Sequence, residues 1–199
     1  MCIRDSNNSM KHNIYFITGT NTGVGKTTYS SYLLDKWKSN RINAAALKPI
    51  ASGCEVINGV LVNEDALILH KSLCENLDNK FRSLDWINPV RFKPPIAPHI
   101  AADMLNGGSK LTCENLMDII WPRVIEWLDY ANSLGDNSNL LIEGAGGWQV
   151  PLNHEQTYAH WVQAFNKKLQ DYNKDINFGV VLVVGMQLGC LNHALLSAN

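Results

Sequence analysis

The sequence has almost no net charge, and this excludes several kinds of protein. Its 17 lysines and arginines nearly balance 18 aspartates and glutamates, which leaves a formal charge of -1. A basic nucleic-acid coat or a polybasic membrane anchor would need a large positive excess. Hydrophobic residues make up 46% and charged residues 18% of the chain, a balance typical of globular domains rather than disordered chains. We expect a folded domain that binds neither nucleic acid nor a membrane.

Cysteines and long apolar runs are also scarce. The five cysteines form no CxxC pair and have no histidine at zinc-finger spacing, so neither a disulfide framework nor a structural zinc site is predicted. No run of about 18 apolar residues, the length that spans a membrane, occurs. Free cysteines and the lack of a signal peptide favour a cytoplasmic location.

Short apolar runs alternate with helical patterns along the chain. The runs Ile14–Ile17, Ala44–Leu47, Leu140–Ile142 and Phe178–Val184 are typical of buried parallel strands. Helices are predicted over Thr27–Ser39, Asp65–Leu73 and Leu116–Tyr130, around Trp161–Phe165, and over Asn192–Ala198. The first of these has Tyr29, Tyr32, Leu33 and Trp37 at helical spacing. Pro122 is expected to kink or restart its helix. This alternation predicts an α/β fold, a parallel sheet with helices on both faces in three αβα layers.

The strongest motif lies between the first strand and the first helix. It runs from Gly19 to Thr27 as GTNTGVGKT, with Thr20 where the strict P-loop pattern has glycine. Its backbone N–H groups, together with the helix N-terminus, are predicted to bind phosphate through residues 23–28, with Lys26 on the β/γ oxygens and Thr27 on Mg²⁺. A simple Gly/Thr turn before a helix is the alternative. We interpret 1–12 as a disordered or non-native leader, 13–199 as one P-loop NTPase domain, and a C-terminal segment as missing.

Three further positions are candidates for the same sheet edge. Glu143 ends a strand and opens a glycine cluster, so it is the best acidic ligand for Mg²⁺, although a solvated loop glutamate remains the alternative. Asp65 is more typical of a helix cap on pattern alone. Pro49 holds Lys48 extended at a strand end, which favours a catalytic ammonium group over a surface lysine. Ser52 can donate to a polar substrate, and the helix start at Gly189, Cys190 and Asn192 can bind a carboxylate or be an ordinary cap.

The motifs together resemble one family. ITGTNTGVGKT, LKPIASG, NEDALIL, PVRFKPPIAPHIAA, LLIEGAGGWQVPL and VVLVVGMQLGCLNHALL occur in the order seen in dethiobiotin synthetases, from about Ile14 to Leu196. The resemblance implies ATP-dependent carboxylation of 7,8-diaminononanoate with CO₂ and closure of a cyclic urea, through an N7-carbamate and a carbamic-phosphoric anhydride. It also implies a homodimer.

The resemblance further implies roles for particular residues. Lys26 and Lys48 neutralise the carbamate and phosphates, and Thr22 and Ser52 contact the reacting end of the substrate. Mg²⁺ is held by Thr27, Asp65 and Glu143. The nucleotide is contacted by Gly23, Val24, Gly25, Lys26, Thr27, Thr28, Asp65, Glu143, Gly144, Ala145 and Gly146. Gly189, Cys190 and Asn192 meet the distant substrate carboxylate, in family members from the partner subunit, and Gln187 stands where a basic residue is common.

Two other classes compete with this interpretation. A P-loop switch ATPase that partitions or delivers a partner has the same fold and nucleotide site, but leaves KPIASG without a role. A glutamine-dependent amidase or cobyrinate-type ligase requires a glutamine-hydrolysing module with a Cys/His pair, for which this sequence has no room.

Overall fold

The computed structural model describes residues 12–104, 111–135 and 137–198. The described residues form eight strands: β1 (His12–Gly19), β2 (Asn43–Leu47), β3 (Ile50–Ala51), β4 (Glu55–Ile57), β5 (Val60–Val62), β6 (Val90–Arg91), β7 (Ser138–Glu143) and β8 (Asn177–Val183). They form eight helices: α1 (Lys26–Ser39), α2 (Glu64–Ser72), α3 (Asn79–Arg82), α4 (Leu84–Ile87), α5 (Pro98–Asp103), α6 (Cys113–Leu134), α7 (Tyr158–Tyr172) and α8 (Cys190–Ala198). The proposed leader lies outside these residues except for His12, which begins β1.

The main sheet has four parallel strands in the order β2-β7-β1-β8. Every residue of β7 is buried, as expected for an inner strand of a parallel sheet that is covered on both faces. The four predicted apolar runs coincide with these four strands. Because all four strands run in one direction, the loops that follow β1, β2 and β7 emerge at the same carboxyl edge.

Helices cover both faces of the sheet, which confirms the predicted three-layer αβα fold. Tyr15 in β1 stacks on Trp37 of α1, with ring centroids 5.6 Å apart. Its neighbour Phe16 points to the opposite face, where it contacts Trp161 of α7 at 6.1 Å. Successive strand residues face opposite sides, so α1 and α7 must lie on opposite faces. No helix within the described part of the chain is long and apolar enough to cross a membrane.

Two helices differ in detail from the prediction. Of the two effects expected of Pro122, a kink or a restart, the restart does not occur, because α6 continues through Pro122 from Cys113 to Leu134. Pro122 lies on the exposed side, and the fully buried Ile120 and Val124 keep both halves packed on the same core. On α1 the buried apolar residue is Leu34, while Tyr29 and Tyr32 are exposed.

Candidate active site

Residues that follow three neighbouring strands meet at the carboxyl edge of the main sheet. The phosphate loop follows β1, Lys48 follows β2, and Glu143 is the last residue of β7. The strand order places β7 between β2 and β1, so Glu143 lies between the other two. The topology alone therefore gathers two lysines and a carboxylate at one place.

The loop after β1 has the backbone that a phosphate site requires. Gly23 and Gly25 have φ angles of 75° and 97°, the left-handed region that glycine enters without strain. Gly25 also precedes α1, so the unpaired N–H groups and the positive end of the helix face the loop. The Lys26 Nζ atom donates to the Asn21 carbonyl at 2.9 Å and thereby lies over the loop. Thr28 is exposed in the first turn of α1.

Lys48 lies between two carboxylates. Its Nζ atom is 2.6 Å from Glu143 Oε1 and 2.9 Å from Asp65 Oδ2. Glu143 Oε1 also accepts a hydrogen bond from the Thr27 hydroxyl at 2.9 Å. Asn63 caps α2 by accepting from the Ala66 N–H group, which fixes the first turn that carries Asp65. The predicted residues Thr27, Lys48, Asp65 and Glu143 thus form one hydrogen-bonded group, which we call the ion cluster.

The ion cluster is mostly closed to solvent. Glu143 is fully buried and Lys48 is 3% exposed, whereas the Asp65 side chain is 42% exposed. Burial acts to lower the pKa of Lys48, but the charges of Glu143 and Asp65 outweigh it and hold that pKa above its ordinary value. Burial acts to raise the pKa of Asp65, yet the Lys48 ammonium lowers it overall. Lys48 and Asp65 are therefore charged at neutral pH, and Lys48 is the cation that both acidic side chains contact.

Lys26 has the opposite electrostatic setting. Burial, followed by the positive charge of Lys48, lowers the pKa of Lys26, and Glu143 and Asp65 offset this only in part. Two ammonium groups close together repel each other unless more negative charge arrives. Lys26 and the loop N–H groups are the donors that remain to attract phosphate oxygens at this edge of the site.

The residues present fit a magnesium ion. Glu143 Oε2 is buried without a hydrogen-bond partner, although a charged carboxylate oxygen normally has one. The Thr27 hydroxyl donates to the other oxygen of the same carboxylate, and the half-exposed Asp65 carboxylate is joined to Glu143 through Lys48. Hard oxygen ligands in small number suit Mg²⁺, which takes its other ligands from phosphates and water. No group of three or more His, Cys, Asp or Glu side chains suited to a metal occurs among the described residues.

Glycines allow the loop after β7 to pack against the end of β1. A Cβ atom on Gly144 would lie 2.9 Å from the Phe16 ring, and one on Gly146 would lie 2.6 Å from Val150 Cγ2. The Gly144 N–H group donates to the Ile17 carbonyl at 2.9 Å, and Trp148 donates to Gly19 at 3.1 Å. These contacts place the loop beside the phosphate loop.

A cavity of about 470 Å³ opens beside the ion cluster. Its polar lining includes five side chains, of Thr22, Lys48, Ser52, Asn63 and Asp65. Ala145 and Gly146 line it from the loop after β7, and the remaining wall is formed by Ala51, Pro95, Ile96, Ala97, Pro98, Val150 and Pro151. The cavity therefore has a charged end at Lys48 and Asp65 and a largely apolar wall.

Sequence reasoning missed part of this lining. Asn63, Val150, Pro151 and the stretch 95–98 were not assigned to the site residue by residue, although the proline-rich stretch carried a visible signal. The structure does not bring Gly189, Cys190 and Asn192 into this cavity. They lie at the start of α8, where Gly189 and Asn192 are exposed. Val24 packs towards Gly185, two residues beyond the end of β8.

Comparison with known proteins identifies the family. A sequence profile described as an AAA domain matches residues 13–199. An ATP-dependent dethiobiotin synthetase of Marinobacter nauticus is 40% identical over 189 residues, which cover 95% of this chain and 69% of that protein. Proteins of the same name from Alteromonas mediterranea and Pseudoalteromonas translucida are 43% and 41% identical, each over 92% of this chain and over 72% and 69% of their own lengths.

The similarity to these relatives extends over nearly the whole length of this chain. The fold and the phosphate loop agree with an enzyme that uses ATP. Of the competing classes, the comparisons favour the ligase. The chain belongs to the family of ATP-dependent dethiobiotin synthetases.

Proposed function

We propose that this chain closes the cyclic urea of dethiobiotin from 7,8-diaminononanoate, CO₂ and ATP at the ion cluster and the adjoining cavity. The observation that carries the proposal is the buried Lys48 ammonium, 2.6 Å from Glu143 and 2.9 Å from Asp65 at the charged end of that cavity. Such a group stabilises negative charge that develops on a carbamate and on a phosphoryl group in transfer.

The reaction has three steps that balance. The N7 amine of the substrate attacks CO₂, a C–N bond forms, and one proton leaves the nitrogen to give a carbamate anion. A carbamate oxygen then attacks the γ-phosphorus of ATP, and the bond to the bridging oxygen breaks to release ADP. The second amine attacks the carbamoyl carbon, the C–O bond to phosphate breaks, the attacking nitrogen loses one proton, and inorganic phosphate leaves with the closure of the ring.

The side chains have distinct parts in these steps. Lys48 holds the carbamate oxygens at the charged end of the cavity. Lys26 stabilises the negative charge on the γ-phosphoryl group during its transfer. Thr22 and Ser52 also line the cavity, and their hydroxyl groups orient the two amines of the substrate. Ser52 Oγ is buried without a partner, which leaves it free to bind a polar group of the substrate.

A magnesium ion fits the oxygen donors Thr27, Asp65 and Glu143, and when bound it neutralises phosphate charge. Thr27 lies in the first turn of α1, Asp65 in the first turn of α2, and Glu143 is the last residue of β7, so all three are held by regular secondary structure. Glu143 in turn keeps the Lys48 ammonium charged at neutral pH. The backbone N–H groups of residues 23–28 would bind the phosphate oxygens.

The apolar wall gives the cavity its selectivity for a flexible aliphatic chain. Ile96, Pro98 and Val150 remove methylene groups from water while the amine end stays at Lys48 and Asp65. Further parts of the proposal rest on the family resemblance. The chain forms a homodimer in which Gly189, Cys190 and Asn192 of one subunit bind the distant carboxylate of the substrate in the other subunit's cavity. The enzyme works in the cytoplasm.

Product analysis tests the proposal. The chain is incubated with 7,8-diaminononanoate, bicarbonate and Mg·ATP, and dethiobiotin is sought by mass spectrometry. We expect dethiobiotin and ADP to form in equal amounts, and ADP release to require the diamine. A switch ATPase would release ADP at the same rate with or without the diamine, and that result would exclude the proposed reaction.

A further inference from the structure

The main chain of Lys48 is held by a short segment outside the ion cluster. The Lys48 N–H group donates to the Ile87 carbonyl at 2.6 Å. The Lys48 carbonyl accepts from the side-chain amide of Asn88, also at 2.6 Å. Both polar groups of the Lys48 backbone are thus satisfied by two consecutive residues, and one of these bonds is made by a side chain.

Asn88 is fully buried, and its amide has one possible orientation. Its Nδ2 atom lies 2.6 Å from the Lys48 carbonyl and 3.3 Å from the Val90 carbonyl, so both acceptors face the NH₂ group. Exchange of the amide nitrogen and oxygen would set oxygen against two carbonyl oxygens. Its Oδ1 atom is buried without a partner, so the donors of Asn88 are used and its acceptor is not.

The segment that carries Asn88 is itself fixed in the core. The Asn88 N–H group donates to the Leu84 carbonyl at 2.8 Å and closes α4. In the same helix Ile87 is fully buried, and Trp86 is 5% exposed with its indole N–H group on Glu126 at 3.1 Å. The donor that reaches Lys48 therefore comes from a rigid support.

The backbone on the other side of Lys48 needs this support. Pro49 has no N–H group, so it cannot extend the ladder of β2, and β2 ends at Leu47. Pairing begins again with Ile50 opposite Val90, together with a bond from the Val90 N–H group to the Pro49 carbonyl. Lys48 stands in the gap between the two ladders, where the Asn88 amide supplies the hydrogen bond that its carbonyl lacks there.

We propose that Asn88 is a positioning residue for the Lys48 ammonium, and this inference rests on the proposed function of Lys48. By fixing the backbone of Lys48, the Asn88 amide directs the side chain so that its Nζ atom meets Glu143 and Asp65 at hydrogen-bond distance. Asn88 does not line the cavity and does not touch the reacting atoms. A shift of about 1 Å in a group that stabilises a transition state can cost on the order of 100-fold in rate.

Replacement of Asn88 by alanine removes the donor, and Asn88→Ser keeps a single shorter donor in case the alanine variant does not fold. We expect kcat per folded molecule to fall roughly 10- to 100-fold in Asn88→Ala and less in Asn88→Ser, with KM for ATP changed by less than about twofold, because the phosphate loop is untouched. The control is Ser138→Ala, which removes a buried hydrogen bond of 2.8 Å to His12 at the opposite edge of the sheet. It should lower stability and leave kcat unchanged.

A double-mutant cycle with Lys48→Ala separates positioning from structural support. If Asn88 acts through Lys48, its replacement has no further effect on kcat once Lys48 is alanine, whereas a general structural defect lowers kcat by the same factor in both backgrounds. Equal factors, or an Asn88→Ala variant with full kcat per folded molecule, would overturn the inference; if Asn88→Ala does not fold, the same cycle is measured with Asn88→Ser. Full turnover by Lys48→Ala alone would instead refute the proposed role of Lys48, so the two failures are distinguishable.

Discussion

The ion cluster predicts that Lys48 is needed for stability as well as for chemistry. Lys48→Met keeps an unbranched side chain but removes the ammonium group between Glu143 and Asp65. Glu143 is fully buried, and among the described residues it would keep only the Thr27 hydroxyl as a hydrogen-bond donor. Loss of one member of a buried ion pair costs about 3–5 kcal/mol. Asp65 is 42% exposed, and water can replace its lost partner at little cost.

This loss is large enough to measure. A loss of 1 kcal/mol lowers the melting temperature of a chain of this size by roughly 2–4 °C, so Lys48→Met is expected to melt roughly 6–20 °C lower. Urea unfolding followed by tryptophan fluorescence gives the free energy of unfolding directly, because the chain has 6 tryptophans.

Two further variants make the test specific. Lys48→Met combined with Glu143→Gln removes both charges of the pair and should recover most of the lost stability, because no buried charge is left alone. Lys80→Met breaks the exposed pair with Glu126 (3.0 Å), and its free energy of unfolding should change by less than about 1 kcal/mol. The reasoning is refuted if Lys48→Met is as stable as the parent, or if the double variant is no more stable than Lys48→Met.

Three other predictions concern the site and its support. Glu143→Gln should lower the apparent affinity for magnesium by at least about tenfold, as measured by titration of turnover with magnesium at saturating ATP. An unchanged titration would remove Glu143 from the metal site. Gly144→Ala should lower the free energy of unfolding in urea by about 1–3 kcal/mol, because its Cβ atom would lie 2.9 Å from the buried Phe16 ring. In the control Gly179→Ala the nearest atom, in Tyr15, is 3.6 Å away, so this change should be tolerated. Equal losses of stability in the two variants would contradict the packing argument. The pKa of Asp65 is lowered in the folded state, so its contribution to stability is present above its unfolded pKa of about 3.9 and is lost as pH falls. Asp65→Asn should therefore lose less stability than the parent between pH 6 and pH 3. Parallel profiles of stability against pH would count against the pairing of Asp65 with Lys48.

The strands and the phosphate loop were predictable because their signals are local. Each inner strand is a continuous apolar run, and the glycines and Lys26 of the phosphate loop fall within nine residues. The convergence of Lys48 and Glu143 was also accessible, since both follow predicted parallel strands whose carboxyl ends share one edge. Which strands are neighbours was not predicted, and that order places Glu143 beside Lys48.

The segment from Ile50 to Met104 was the least predictable part. The strands β4 and β5 of the hairpin have only three residues each, and all six are exposed or half-exposed, so the hairpin lacks the longer buried apolar run of a core strand. Its turn at Asn58 and Gly59, with φ angles of 51° and 81°, is the Asn-Gly pair typical of tight hairpins, and it is the one local signal of this element. The apolar wall of the cavity and the Asn88 support depend on long-range packing of this segment, which leaves no spacing pattern in the sequence.

The central claim is that a carbamate held at Lys48 accepts the γ-phosphoryl group of ATP. It is tested most directly by the path of oxygen. The enzyme is supplied with ¹⁸O-labelled CO₂, 7,8-diaminononanoate and unlabelled Mg·ATP, and the inorganic phosphate is analysed by mass spectrometry before the label exchanges with water. The account predicts one ¹⁸O atom in the phosphate for each dethiobiotin formed, because the carbamate oxygen that attacks phosphorus leaves with it. Unlabelled phosphate formed together with dethiobiotin would contradict the account.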